Sequence, residues 1–249
     1  MNQLTEVTGM VLSAAPAGEY DKRVVILTKE HGKISAFAKG ARKPQSQLAG
    51  VTSPCTFGVF QLYQGRSSYT IHSAEISNYF AELRMDVKAA CFAFYFLEFA
   101  DYYTREENDE RQMLKLLYQT MRALTAGKIP LGLIRCVFEL KTMYINGEGP
   151  QVFGCVSCRK TDVPLAFSVR HGGMICETCG GRAADRRVLN ASTLYAMQFI
   201  AATPPEKIYS FTLSEEVLQE LSGVTEKYLG AYVKRRFKSL EILEQMLGE

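Results

Sequence analysis

The chain has 249 residues, of which 47% are hydrophobic and 22% are charged, and its formal net charge is +3 at pH 7. This composition is typical of a globular protein and excludes a disordered one. Residues 1–12 lack the basic start and apolar core of a secretory signal, and the apolar run at residues 89–97 is too short to span a bilayer, so we expect a cytoplasmic protein without membrane attachment.

The first eighty residues carry the pattern of short β-strands. Five segments alternate or are rich in β-formers: residues 5–12, 23–28, 33–39, 56–64 and 69–76. Short turn-forming stretches at residues 29–32 and 65–68 join the second strand to the third and the fourth to the fifth. Five strands in so short a stretch predict a small closed barrel, for which the OB-fold is the leading candidate and an SH3-like barrel is the competitor.

A basic loop at residues 39–47 follows the third predicted strand and has no apolar face to bury. Cations near a glycine such as Gly40 suit phosphate groups, because glycine lets the backbone come close. Phe37, Tyr63 and Tyr69 could stack on bases, or they could belong to the barrel core. The loop predicts a nucleic-acid surface, and an ordinary solvated connection is the alternative. The predicted DNA-binding residues in this part of the chain are Arg23, Lys33, Lys39, Arg42, Lys43 and Arg66.

Residues 81–249 are predicted to be mainly helical. Helices are predicted at residues 86–103, 109–125, 130–146 and 192–202, with a last helix or helix pair that begins at a capping box formed by Thr212 and Glu215. From about residue 225, an apolar stripe runs through Phe237 with lysines on the opposite side, and Arg236 falls within the apolar sector, which predicts a buried ion pair. The basic side predicts a further nucleic-acid contact, or else a solvated face. Its candidate residues are Lys234, Arg235 and Lys238.

Four cysteines in the pattern C-x2-C-x17-C-x2-C predict a structural zinc site: Cys155, Cys158, Cys176 and Cys179. Two C-x2-C turns supply the four ligands of a tetrahedral Zn²⁺, and residues 166–169 and 174–176 could pair as a hairpin between them. A redox pair, disulfides and a catalytic zinc are the alternatives, and His171 could replace one sulfur. The three other cysteines read as small core residues.

The motifs and their order resemble a known family. Residues 8–12, 21–28 and 32–43 are similar to the N-terminal domain of the bacterial RecO recombination mediators, and the order of barrel, helices, cysteine quartet and terminal helices matches throughout. The resemblance implies an α+β chain with an OB domain at residues 1–80 and a helical domain at residues 81–249 that carries a zinc element at residues 150–187.

The resemblance also implies a function. Such a protein binds single- and double-stranded DNA, anneals complementary strands and, with RecR, helps RecA replace single-strand binding protein, whose acidic C-terminal tail it contacts. We therefore expect a monomeric, nucleoid-associated DNA-binding protein that is not an enzyme, consistent with the lack of Walker A, H-E-x-x-H, G-x-S-x-G and G-x-G-x-x-G patterns. A metal- or thiol-dependent enzyme and a zinc-ribbon adaptor that binds only protein are the alternatives.

Overall fold

The computed structural model describes residues 4–65, 68–181 and 183–247. Its first part is a closed five-stranded barrel with the strand order β1-β2-β3-β5-β4. The strands are β1 (Leu4–Ala17), β2 (Asp21–Thr28), β3 (Gly32–Ala38), β4 (Phe57–Gln64) and β5 (Tyr69–Asn78), with a short helix α1 (Leu48–Val51) between β3 and β4. β3 and β5 run parallel, whereas the other neighbouring strands are antiparallel. The predicted OB-type barrel is confirmed.

Barrel closure depends on the long first strand. The first half of β1 pairs with β4 and its second half pairs with β2, with a register shift between Val11 and Ser13. Gly9 lies where both partners meet β1, and a Cβ there would come within 2.5 Å of the carbonyl oxygen of Leu27. Inward-facing residues such as Val24, Ile26 and Phe60 alternate with outward-facing ones and fill the interior.

The described residues divide into two compact units, and the barrel belongs to the first, which comprises residues 1–128 and 237–249. Besides α1, its helices are α2 (Val87–Tyr103), α3 (Arg111–Ala126) and α8 (Lys238–Leu247). Asp86 caps α2, because its carboxylate accepts a hydrogen bond from the Ala89 amide. α2 buries an aromatic face, and Phe237 packs edge-on against Tyr95 and at a tilt against Phe99.

The second unit, residues 129–236, contains helices and the cysteine-rich segment. Helices α4 (Leu131–Ile145), α6 (Ala191–Ala202) and α7 (Glu215–Tyr232) pack against one another. Between α4 and α6 lie the antiparallel hairpin β6 (Leu165–Ser168) and β7 (Gly173–Cys176) and the short helix α5 (Glu177–Gly180). The predicted hairpin and the insertion of the cysteine element among helices are both confirmed. No helix among the described residues has the length and apolar character needed to cross a membrane.

The predicted course of the last helices was wrong at three points. The cap of α7 is Ser214, whose hydroxyl accepts from the Val217 amide, and not Thr212. α7 then ends at Tyr232 and residues 233–237 are not helical, so the apolar stripe and its basic side do not lie on one continuous helix. Arg236 is exposed, which rules out the buried ion pair predicted from its helical angle.

Candidate metal centre and nucleic-acid interface

The four predicted cysteine ligands come together in the second unit. Their sulfur atoms all lie within 4.8 Å of one another. The Sγ atoms of Cys158 and Cys176 are 3.8 Å apart. A regular tetrahedron with Zn–S bonds of about 2.3 Å has S···S edges of about 3.8 Å, so the size of the cluster fits a four-coordinate ion held by thiolates. The set leaves no position for a reacting water if all four sulfurs bind.

Local backbone contacts build this cluster from two separate turns. In the first turn, the Arg159 amide donates to the Cys155 carbonyl at 2.9 Å, and the Cys155 amide donates to the Lys160 carbonyl at 2.9 Å. Cys176 ends β7, and Cys179 lies in α5, one turn later. The Cys176 amide points at the Cys155 sulfur, 3.5 Å away. The hairpin therefore brings the second pair of cysteines against the first.

The sulfurs have different proton affinities. Burial raises the pKa of Cys155, but hydrogen bonds from the amides of Cys158, Cys176 and Ser157 outweigh it and lower the pKa to about 6. Hydrogen bonds with Cys176 and Cys158 raise the pKa of Cys179 to about 12. Four thiolates this close cannot all ionise unless a cation balances them. The cluster is therefore suited to hold a cation rather than to provide one reactive thiol.

His171 does not belong to the cysteine cluster. Its Nδ1 atom lies 2.8 Å from the Ser168 hydroxyl, which in turn donates to the Asp185 carboxylate at 2.8 Å. The Asp185 carboxylate also accepts from the Arg170 amide, and this hydrogen bond is the main cause that lowers its pKa. These contacts fix the turn of the hairpin. His171 therefore binds the Ser168 hydroxyl and does not replace a cysteine in the metal site.

Residues of α7 anchor the cysteine element, and the sequence alone did not indicate them. The Tyr232 hydroxyl donates to the Val169 carbonyl at 3.0 Å, and the Tyr228 hydroxyl donates to the Glu148 carbonyl at 3.0 Å. Arg187 pairs with Glu220 at 3.0 Å. Tyrosines spaced four residues apart on one helix are the only local signal for such a contact, and that spacing is common.

The outer face of the barrel carries a row of side chains across four strands. Arg23 of β2 is paired with Phe37 of β3, Phe37 with Thr70 of β5, and Thr70 with Tyr63 of β4. The ring of Tyr63 lies 5.2 Å from that of His72, between ring centroids. We call these five residues the platform. Phe37 is 37% exposed, so its ring is open to a stacking partner.

The basic loop lies against the turn between β1 and β2. The Arg42 guanidinium donates to the carbonyls of Gly18 and Glu19, each at 3.1 Å, and the Lys43 ammonium lies 5.5 Å from the centroid of the Tyr20 ring. Lys39, Arg42 and Lys43 are all exposed. In OB-folds, the strand 2–3 face and the loop between strands 1 and 2 commonly contact oligonucleotides. The platform includes residues of β2 and β3, and the basic loop, which connects β3 to β4, contacts the turn between β1 and β2.

The other predicted DNA-binding residues have different surroundings. The Lys33 ammonium forms an ion pair with the Asp101 carboxylate at 3.1 Å. Arg66 lies outside the described residues. Tyr69 is half-buried, with part of its ring packed against the barrel core. Exposed side chains are found at Lys234, Arg235 and Lys238, which belong to different elements: the first two follow α7, and Lys238 begins α8.

Comparisons with known proteins give one consistent result. The sequence model described as Recombination protein O N terminal matches residues 1–80, and the one described as Recombination protein O C terminal matches residues 84–241. The DNA repair protein RecO of Alkaliphilus metalliredigens is 34% identical over 245 residues, which cover 98% of this chain and 100% of the relative.

Two further relatives carry the same name. The DNA repair protein RecO of Clostridium perfringens is 31% identical over 242 residues, covering 97% of this chain and 98% of the relative. That of Bacillus subtilis is 29% identical over 252 residues, covering 99% and 98%. The two family models together cover nearly the whole chain and the full-length relatives carry the same name, so the chain belongs to the RecO family.

Proposed function

We propose that this chain is a DNA repair and recombination mediator that binds single- and double-stranded DNA and anneals complementary strands. The observation that carries the proposal is the match to the RecO family over nearly the whole chain. The exposed cations of the basic loop and the open ring of Phe37 support it, because they offer phosphate contacts and base stacking on one barrel. Residues 1–80 are the proposed nucleic-acid-binding domain, and residues 81–249 the helical one.

The chemistry that the proposal requires is electrostatic. Two complementary strands repel each other through their phosphates, and bound cations lower that repulsion so that bases can pair. No covalent step is needed, so we propose that the chain is not an enzyme. Phosphate contacts carry no sequence information, which suits a protein that must anneal strands of any sequence.

We further propose that the four cysteines hold one structural Zn²⁺. The ion would stabilise the cysteine element, which the α7 tyrosines and the Arg187–Glu220 pair fix to the helices of the second unit. The cluster dimensions and the all-thiolate donor set support zinc over a hard cation such as Mg²⁺, which prefers oxygen ligands.

The proposed partners rest on the family resemblance alone. They are RecR, the acidic tail of single-strand binding protein and, indirectly, RecA, for a chain that is monomeric by itself and acts in the bacterial cytoplasm at the nucleoid. Calorimetry with a tail peptide is expected to show binding that weakens when the terminal apolar residue is removed. Unchanged binding of the truncated peptide would contradict a pocket that recognises this residue.

The decisive experiment is a titration of a fluorescent oligonucleotide at several salt concentrations, followed by an annealing assay with complementary strands. We expect binding that weakens steeply with salt and annealing faster than in buffer alone. A folded, zinc-loaded protein that binds no DNA at low salt would refute the proposal and favour a zinc-ribbon adaptor that binds only protein. Turnover of a nucleotide or ester would favour an enzyme instead.

A further inference from the structure

A cavity of about 190 Å³ opens on the first unit, beside the platform. It is lined by side chains from the β2–β3 turn, from β3 and β5, from the end of β4 and from the segment after α2. Its volume lies below the roughly 300–1,000 Å³ of pockets for drug-sized ligands, so it suits a small planar group. The lining residues that matter are His31, Ser35, Gln64, Tyr69, Glu106 and Glu107.

The acidic wall of this cavity is fixed to the barrel by its backbone. The Lys33 amide donates to the Arg105 carbonyl at 2.9 Å, and the Glu107 amide donates to the His31 carbonyl at 3.1 Å. Gly32 makes this approach possible, because its φ is +64° and a Cβ there would lie 2.5 Å from the Arg105 carbonyl oxygen. The two glutamates are therefore held at the rim by the fold.

The charge of the cavity excludes a phosphate. In the part of the chain that the structure describes, neither the Glu106 nor the Glu107 side chain has an ion-pair or hydrogen-bond partner, and both are exposed. Among the described lining residues, Lys33 is the one lysine or arginine, and it is already paired with Asp101. Burial, together with the charges of Glu107 and Glu106, raises the pKa of Tyr69. Two uncompensated carboxylates repel an anion and accept hydrogen bonds from N–H groups.

A metal ion does not fit either. The carboxylates and His31 do not converge into a group of three potential ligands, whereas the four cysteines do so elsewhere among the described residues. The rings of His31 and Tyr69 instead lie nearly parallel, at 28°, with centroids 6.3 Å apart. Rings beside hydrogen-bond acceptors are what proteins use to read an unpaired base.

We propose that this cavity, the Glu106 pocket, receives one unpaired nucleobase of a strand that lies on the platform, with guanine preferred. The inference rests on the proposed DNA binding and adds base selectivity to it. Guanine presents two parallel donors, N1–H and N2–H, which match the two oxygens of one carboxylate. Thymine presents two carbonyl oxygens on the same edge, which a carboxylate repels.

The pocket adjoins the platform through Ser35. Its hydroxyl accepts from the Arg23 guanidinium at 2.9 Å and it also lines the cavity. Ser35 lies two residues from Phe37 on the same face of β3, about 7 Å along the strand. A base stacked on Phe37 therefore places a neighbouring nucleotide of the same strand near the pocket.

The test compares oligonucleotides of about 16 nucleotides, the upper site size of an OB-fold, by anisotropy competition with the full-length protein. One is thymine only, and the other contains isolated guanines, never adjacent, so that it cannot form a quadruplex. We expect the guanine-containing strand to bind about fivefold more tightly, which corresponds to about 1 kcal/mol, the low end for a base contact. The double variant Glu106→Gln and Glu107→Gln is expected to lose this preference.

A matched control removes two other exposed carboxylates of the same unit, Glu75→Gln and Glu82→Gln. Both double variants change the net charge equally, so both are expected to raise overall affinity, but only the pocket variant is expected to equalise the two strands. An equal preference in wild type, or a preference that survives in the pocket variant, would overturn the inference while DNA binding itself persists. Loss of all DNA binding in wild type would instead refute the proposed function.

A basic peptide is the competing occupant. A tri-arginine peptide is added to the wild type and to the pocket variant, with binding followed by calorimetry. Binding to wild type that disappears in the pocket variant, together with no guanine preference, would assign the pocket to a protein partner and overturn the nucleobase. Guanine preference without saturable peptide binding supports the nucleobase.

Discussion

Replacing Lys39, Arg42 and Lys43 by alanine should flatten the salt dependence of DNA binding. All three side chains are exposed and lie on one loop. Each phosphate contact that is removed lowers the slope of log K against log salt by about 0.7 for a single strand. Three contacts give a decrease of about 2, so between 50 and 200 mM salt the wild type should lose roughly 16-fold more affinity than the variant.

Two of the three cations in this loop also make structural contacts, so the loss of charge and the loss of contacts need separate variants. Arg42 holds two carbonyls of the β1–β2 turn and Lys43 covers Tyr20, so their removal also loosens that turn. The single variant Lys39→Ala isolates the charge effect, and its slope should fall by about 0.7. The loop buries little, so the melting temperature and the metal content should stay near those of the wild type.

The assay is fluorescence anisotropy with one labelled single strand at four or more salt concentrations. The control variant removes three exposed cations of the same unit outside the barrel, Lys88 on α2, Arg122 on α3 and Lys128 just after α3, and changes the net charge by the same amount. Equal slopes for the loop variant and the control would show that only net charge matters. A folded loop variant with the wild-type slope would remove residues 39–47 from the binding surface.

Three further predictions concern the metal, the platform and the buried thiols. Cys176→Ser should abolish stoichiometric zinc in metal analysis and lower the melting temperature, because metal binding contributes folding energy; zinc retained at one per chain would contradict the four-cysteine site. Phe37→Ala should weaken single-strand binding by about 1–3 kcal/mol, roughly 5- to 150-fold, with a smaller effect on duplex, whereas Phe94→Ala, which removes an exposed ring from α2, should have no effect on either. Burial raises the pKa of Cys55 to about 12 and that of Cys136 to about 11, from an ordinary 9.0. The contribution of these thiols to stability is therefore present below pH 9 and is lost as the pH rises toward 12, because the unfolded chain loses the protons first. Denaturant titrations that show no decrease of the free energy of unfolding in this window would contradict the prediction.

The strands were predictable because barrel strands alternate inward and outward residues. The pattern underestimated β1, which continues to Ala17 through a stretch of alanines and a proline without alternation. There, pairing with β2 extends the strand, including Pro16 opposite Lys22. Local sequence carries no sign of a partner strand, so strand existence was predictable and the end of this strand was not.

In the last helices, a distant contact overrides a local pattern that predicts a helix. The apolar spacing through Phe237 fits a continuous helix, but Phe237 packs among the rings of α2, about 140 residues earlier in the chain. A tertiary contact of this kind overrides the local period. Lys33 illustrates the same point for the candidate interface, because its partner Asp101 is 68 residues away. The cysteine cluster was predictable because its ligands come in two local pairs.

The return of residues 237–247 to the first unit has a consequence for synthesis on the ribosome. The ring face of α2 and the carboxylate of Glu98, which accepts hydrogen bonds from Ser239, are made long before their partners. Domains generally fold as they emerge, yet this unit can be completed only after residues 129–236 have been translated. Until then the apolar rings of α2 that Phe237 covers remain exposed to water, and we expect the nascent chain to be most prone to aggregation during this interval.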